Sequence, residues 1–420
     1  MGFAASLSGL TGASTAIDII GNNISNQQTV GFKTSKARFA DVLAASLPGG
    51  PSADVASAGV SVTVIRQSDQ GMFAGSDNPL DMAITGQGFF RFNKGGEITY
   101  SRDGRFQLAY DSSNLNTRFL VNQTGLNVTG YLATYTTDPQ GVIVTGDAPQ
   151  DITIDPVMPA SPTSQVFVGA NLDSRSAPPL VALFNPANAL SYNSTTALTV
   201  YDAAGTSHNL QMYFAKPAAG SAWNLYTTLD NAAQTGPTNI GFDANGLLTT
   251  GMPLAAQTYA LGGGGSLSVA LDLAGTAQYG LPFHVDSMTQ DGWPVGTLGS
   301  SSGFSVGNDG VIQGFYTNGQ SRKLAQIALA NFINPDAMIG LGDSQWKANA
   351  DPVSGSGKEI LGVPGGLGLG SIQGSTTEQS NVDLNTELVA LIEQQRNYQA
   401  SAQTFKILDQ VMQNLANLGK

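Results

Sequence analysis

Few residues in this chain have the types and spacing that chemistry requires. Gly299-Ser300-Ser301-Ser302-Gly303 has the G-x-S-x-G form of a nucleophile elbow, which needs a strand before it and a helix after it. Here Phe304 and Val306 continue as a strand pattern in Ser/Gly-rich surroundings, so the run reads as a linker. There are two histidines, His208 and His284, and no cysteine. Two separate imidazoles give no metal-ligand spacing, and disulfides are excluded. Nearly every Asp lies in a turn or at a helix cap, and no spacing brings two carboxylates together for acid–base work. Gly262 to Gly265 and the glycines of 365–370 lack the strand–loop–helix setting and the lysine of a phosphate site. Met1 to Ser6 matches a myristoylation pattern by coincidence. The expectation is a chain with no catalytic residues, no cofactor and no metal.

Composition narrows the class. The chain has 420 residues, enough for two to four domains. Charged residues are 11% and apolar ones 41%, with 51 Gly, which favours strands and turns with an uncharged polar surface. A net charge of −12 without a dense basic cluster (Lys33, Lys36 and Arg38 are the densest) argues against nucleic acid as partner. No apolar run has the length of a membrane span, and the start lacks the parts of a Sec signal. Lys and Arg number nine in 1–118, two in 119–321 (Arg175 and Lys216) and seven in 322–420. The middle is a different object from the flanks and reads as a domain inserted into a domain.

The elements follow from periodicity. Phe3, Leu7, Leu10, Ser14, Ile17, Gly21 and Ile24 step by four and three, as do Leu384, Leu388, Leu391, Gln395, Tyr398, Ala402, Phe405, Asp409, Met412 and Ala416. Such steps place side chains on one helical face and describe a coiled-coil seam. The first helix is expected to stop at Gly21-Asn22-Asn23. The second is expected to follow a capping box at Ser380–Asp383 and to run about 35 residues, or about 50 Å. Its exposed face is rich in Gln and Asn, which lets identical helices crowd without strong repulsion. Two stripes of this kind fit either an intramolecular two-helix stem or packing between copies. From about 60 to 375 the pattern is β. Arg102–Phe106, Asp202–Gly205, Asp243–Leu247 and Asn308–Ile312 each carry the Asp/Asn-then-Gly form of a hairpin turn. The Pro/Gly-rich 42–60 and Gly/Ser-rich 354–375 read as loop and linker.

Several motifs carry a resemblance. Ser6-Leu7-Ser8-Gly9-Leu10, Ile17-Asp18-Ile19-Ile20-Gly21-Asn22-Asn23-Ile24-Ser25-Asn26 and Val30-Gly31-Phe32-Lys33 resemble the N-terminal signature of bacterial flagellar rod and hook proteins. Ser380-Asn381-Val382-Asp383-Leu384 and Gln395-Arg396-Asn397-Tyr398-Gln399-Ala400 resemble the C-terminal one. Gly86-Gln87-Gly88-Phe89-Phe90, Tyr100-Ser101-Arg102-Asp103-Gly104, Gly130-Tyr131 and Gln326–Phe332 are similar to internal motifs of the same family. The insertion favours a hook subunit over the generally shorter rod proteins.

The resemblance implies a structural subunit of the flagellar hook, self-assembling into a curved hollow tube that acts as universal joint between rod and filament. A distal rod subunit is the alternative, and a secreted β-rich adhesin a remoter one. The implied fold is mainly β with α-helical termini, its β domains nested between coiled-coil-type helices. The expected divisions are 1–25 and 380–420 (inner-tube helices), 26–72 and 341–379 (connecting region), 73–147 and 286–340 (β domain) and 148–285 (inserted outer β domain). The expected assembly residues are Phe3, Leu7, Leu10, Ile17, Ile24, Leu384, Leu388, Leu391, Tyr398, Phe405 and Met412. The implied partners are further copies of the chain, the rod, hook-cap and hook–filament junction proteins, and the flagellar type III export apparatus. The implied location is the extracellular part of the flagellum, reached without a cleaved Sec signal, with neither membrane insertion nor nucleic acid.

Overall fold

The structure is a computed structural model that describes residues 2–43, 57–67, 69–110, 117–136, 138–218, 222–232, 235–299, 303–351 and 355–418. At 2–5, 40–43, 57–62, 66 and 415–418 it describes the backbone alone. The fold is mainly β with one long helix near each end, α1 (Gly2–Ser25) and α2 (Leu384–Leu418). The chain forms two compact units. Met1–Pro156, Gly299–Phe315 and Ser321–Lys420 make the first; Val157–Leu298 and Tyr316–Gln320 make the second.

In the first unit, Phe89–Lys94 pairs with Glu97–Ser101 on one side and with Asn127–Thr134 on the other. Asn127–Thr134 in turn pairs with Ser321–Ile327, so residues far apart in sequence close one sheet. Apolar residues alternate on its inner face, and Phe90, Phe92, Phe106, Leu120, Ile152 and Ile154 are fully buried. Phe90 meets Phe106 edge-on, ring centroids 5.0 Å apart, a favoured aromatic geometry. The short strands Gln150–Asp151 and Thr153–Ile154 belong to this sheet, which is why the second unit begins at Val157 rather than at 148.

The second unit is a sandwich. One sheet runs Gln257–Ala260, Ser266–Asp272, Gln165–Asn171, His284–Gln290; the other runs Ser194–Tyr201, Ser207–Ala215, Trp223–Leu229, Thr235–Ile240. Val166, Val168, Phe214, Trp223 and Val269 from both sheets share one core, as face-to-face packing requires. The pairing of His284–Gln290 with Gln165–Asn171 carries this unit past the expected limit at 285.

Three expectations need correction. Asp202–Gly205 and Asn308–Ile312 do turn between paired strands. The Arg102–Phe106 turn does not: the strands beside it pair with other partners. Its Gly104 serves close approach, because a Cβ there would lie 1.7 Å from the Met82 carbonyl oxygen. Second, much of 354–375 is tied into sheets. Ile360–Gly362 pairs with Leu329–Asn331, and Ser371–Gly374 with Met82–Thr85. Gly370 sits where a Cβ would be 2.3 Å from the Thr85 carbonyl oxygen, so this glycine marks tight packing, not slack. Third, 42–60 contributes to a strand pair, Ser35–Leu43 with Ser57–Arg66; the loop expected at 44–56 lies outside the described residues.

Candidate functional site

The sequence directs attention to the two helices, and the structure packs them together. Small residues permit the approach: a Cβ on Gly9 of α1 would stand 3.4 Å from Ser401 Oγ of α2. The buried stripe of α1 is Gly12, Ala13, Ala16, Ile20 and Asn23, one position before the expected Ser14, Ile17, Gly21 and Ile24. The stripe buried in one copy thus shares the spacing of the expected one and lies one residue, about 100°, away from it. Leu10, Ile17 and Ile24 are half-buried and Leu7 is exposed; the Phe3 side chain lies outside the described residues. The helix also runs through Gly21 to Ser25. Asn23 does not cap it. Its Oδ1 accepts from Ser35 N (3.0 Å), and its Nδ2 donates to the Ser35 carbonyl (2.8 Å) and Glu387 Oε2 (3.2 Å).

On α2 the half-buried apolar positions Leu384, Leu391, Phe405 and Leu408 lie along one side, with Glu387 buried. Leu388, Tyr398 and Met412 of the expected seam are exposed, together with Val389, Ile392, Ile407 and Val411. Thus α1, at 24 residues, covers only part of the 35-residue α2. The cap of α2 is Asp383, whose Oδ1 accepts from Thr386 N at 2.8 Å. The expected box placed Ser380 in that role; Ser380 Oγ instead accepts from Val382 N (3.3 Å), so the helix starts three residues later. The Thr386 amide holds the Asp383 carboxyl below the usual carboxylate range.

Beneath the helices lies a feature that the sequence did not disclose. Glu378 is fully buried, and Lys33 Nζ (2.6 Å) and Arg102 Nη1 (3.4 Å) meet its two oxygens. Gly71 N donates to Oε1 at 2.8 Å, and Gly31 N donates to the Glu378 carbonyl at 2.8 Å. Lys33 Nζ also donates to the Asp69 carbonyl (2.6 Å), and Arg102 Nη2 to the Gly86 carbonyl (2.7 Å). Asn381 extends the network: its Oδ1 accepts from Thr34 N (2.8 Å), and its Nδ2 donates to the Gln67 and Asp69 carbonyls (3.2 and 3.1 Å). Burial pushes the Lys33 ammonium and the Arg102 guanidinium down, while Glu378 opposes this in both. A buried charge persists only when paired and hydrogen-bonded, and this one is held from four stretches of chain.

This anchor explains several quoted motifs. Val30-Gly31-Phe32-Lys33, Tyr100-Ser101-Arg102-Asp103-Gly104 and Ser380-Asn381-Val382-Asp383 converge on it. Gly31 takes φ +71, and a Cβ there would be 2.5 Å from Asp103 N. The available signal was the set of polar residues inside these motifs; no spacing linked Lys33 to Glu378.

Ser300, Ser301 and Ser302 lie outside the described residues. His208 sits between Asp230 (Nδ1, 2.6 Å) and Asp202 (Nε2, 3.4 Å), on opposite edges of the ring, so the three cannot share one ion. Among the described residues no cluster of His, Asp and Glu has the form of a metal site. No described helix is long and apolar enough to cross a membrane.

Comparison with known proteins agrees with the architecture. Family models match four stretches: "Flagella basal body rod protein" at 3–33, "Flagellar hook protein FlgE/F/G D1 domain" at 83–170, "Flagellar basal body protein FlaE D2 domain" at 171–293 and "Flagellar basal body rod FlgEFG protein C-terminal" at 372–418. The chain is 37% identical over 426 residues to the flagellar hook protein FlgE of Escherichia coli (strain K12), covering 100% of both chains. It is 30% identical over 450 residues to that of Borreliella burgdorferi, covering 98% of each. A solved structure of the Helicobacter pylori hook protein FlgE2 is similar at 16% identity and a TM-score of 0.47, over 71% of this chain and 99% of that one.

Proposed function

The chain belongs to the flagellar hook protein family, and from that membership we propose that the uncovered apolar face of α2 is the seam through which copies assemble. The protein is a structural subunit of the bacterial flagellar hook. Full-length likeness to hook proteins does not favour the distal-rod alternative. The family's role is structural, and the chain acts by assembly, not by catalysis.

The observation that carries the seam is the exposure of Val389, Ile392, Ile407 and Val411 on the side of α2 away from Leu391 and Phe405. Apolar side chains in a row on one element mark a surface awaiting a partner. In this reading α1 and α2 pair within each copy, Leu388 of the expected seam faces a neighbouring copy, and Tyr398 and Met412, on the same side of the helix as Leu391 and Phe405, are exposed there for a neighbour to cover. Leu384, Leu391 and Phe405 stabilise the pair itself, with Leu10, Ile17 and Ile24 of α1; Leu7 extends the surface at its free end. The helices then line the inside of a curved tube that joins rod to filament. The finer partners follow from the same reading: rod, cap and junction proteins at the two ends, and the flagellar type III apparatus as the export route without a cleaved signal.

The test is Ile392→Asp. In the polymer it would bury an unpaired charge, at a cost of several kcal/mol. In the monomer the side chain already meets water. Electron microscopy should show tubes from the wild-type chain and none from the variant, with the dilute subunit melting normally. Normal tubes from Ile392→Asp would remove the seam.

A further inference from the structure

The chain contains two Asn-Gly pairs, Asn245-Gly246 and Asn318-Gly319. Glycine carries no Cβ, so its amide can approach the carboxamide carbon of a preceding asparagine closely. Both pairs lie in the second unit and close turns of the same form. Asp243 N donates to the Leu247 carbonyl at 2.8 Å, and Tyr316 N to the Gln320 carbonyl at 2.9 Å. Gly246 N donates to the Asp243 carbonyl and Gly319 N to the Tyr316 carbonyl, both at 3.0 Å. The φ angles of the two glycines are +80° and +77°. The two glycine nitrogens are therefore equivalent as nucleophiles.

The carboxamides are not equivalent. Asn318 is half-buried, and its Nδ2 donates to the Pro294 carbonyl (2.9 Å) and to Met158 Sδ (3.8 Å). Its Oδ1 accepts from Gln320 N (3.1 Å). Gly296 lies so close that a Cβ there would stand 2.6 Å from Asn318 Cγ. Asn245 is exposed, and its carboxamide makes no hydrogen bond among the described residues. Its turn does not need one, because Asp243 Oδ1 already accepts from the Asn245 and Leu247 amides, both at 2.8 Å.

We propose that Asn245 is a site of spontaneous deamidation, and that the fold closes the same reaction at Asn318. The Gly246 nitrogen attacks Asn245 Cγ. The N–Cγ bond forms, the Cγ–Nδ2 bond breaks, and the amide proton leaves with the amine as ammonia. Water then opens the cyclic imide at either carbonyl, giving an aspartyl or an isoaspartyl residue. No electrons are exchanged, and water is the only co-reactant. Each event adds one negative charge beside Asp243. The isoaspartyl product also routes the backbone through the side chain, directly before a tightly held glycine. The Gly246 carbonyl accepts from Gln278 N at 2.8 Å, and a Cβ on Gly246 would stand 2.4 Å from the Gln278 carbonyl oxygen. A lengthened backbone at 245 therefore loosens this turn from the strand beside it.

The test incubates the full-length wild-type chain, folded, at mildly alkaline pH and follows both peptides by mass mapping. Asn318 must break its hydrogen bonds before it reacts, so Asn245 should convert at least about tenfold faster. In denaturant the two pairs should convert at similar rates, because only the fold distinguishes them. A folded chain in which Asn245 stays intact, or converts no faster than Asn318, overturns the proposal. An Asn318 that stays slow in denaturant overturns the protective role given to the fold. Asn245→Gln lengthens the side chain in an exposed turn and should remove the mass gain of that peptide in the folded chain. A gain that persists in this variant places the reaction at another residue and overturns the assignment.

Discussion

The two ends of the chain meet twice, and the two meetings are made of opposite materials. At the Glu378 anchor they join through buried charge, with Lys33, Arg102 and the Gly71 amide on one carboxylate. In the α1–α2 pair they join through small and apolar side chains, and much of the apolar surface of α2 is left facing water. The carboxylate is paired within one copy, because a buried ion that waited for a neighbour would oppose folding of the monomer. The helix pair is incomplete within one copy, because exposed apolar groups can wait without preventing folding. The difference separates what folds the subunit from what joins subunits.

Substitutions that act on one side only are the way to break this comparison. The largest effect on the monomer belongs to Glu378→Ala, which leaves Lys33 and Arg102 buried and unpaired. Removing one partner of a buried pair costs about 3–5 kcal/mol. Chemical denaturation should show that loss, whereas Ile392→Asp should show none. Equal monomer stability in the two variants would erase the distinction. Gly31→Ala should come next. A left-handed conformation costs a residue with a Cβ about 1–2 kcal/mol, and here the Cβ also meets Asp103 N at 2.5 Å. Denaturation midpoints of this variant and of Gly21→Ala, whose site is open, measure the contrast within one helix–loop segment.

The smallest effect sets edge charge against buried charge. The hydrogen bond to Asp230 raises the His208 pKa above its ordinary value. A raised pKa means that the stabilisation is fully present below the unfolded value of about 6.5 and is lost as pH rises through the folded value. The Thr206 amide lowers the Asp202 pKa. That contribution is present above about pH 3.9 and fades as pH falls through the lower folded value. The melting temperature should therefore fall modestly as pH rises above about 6.5, and His208→Gln should flatten that slope. An unchanged slope in the variant would assign the pH dependence elsewhere.

Much of the architecture was legible in the residues. Steps of three and four called both helices, alternation and Asp/Asn–Gly turns called the β middle, and the thinning of Lys and Arg marked an inserted unit. The errors share a cause. A period fixes the spacing of a face but not which face is covered within one copy when α1 is apolar at Ile17, Ile19 and Ile20 alike. A glycine-rich stretch reads as slack in one dimension. In three, Gly104 and Gly370 sit against carbonyl oxygens that a side chain would displace.

The sequence by itself determined the class of the protein: two seam-forming helices around a β-rich, weakly charged middle, with a family signature at each end. Only the tertiary structure decided how the ends are held. Lys33 and Glu378 are 345 positions apart, and nothing local distinguishes them from surface charges. Their pairing exists because four separate stretches of chain exclude water from one carboxylate, and exclusion of water is a property of the assembled fold.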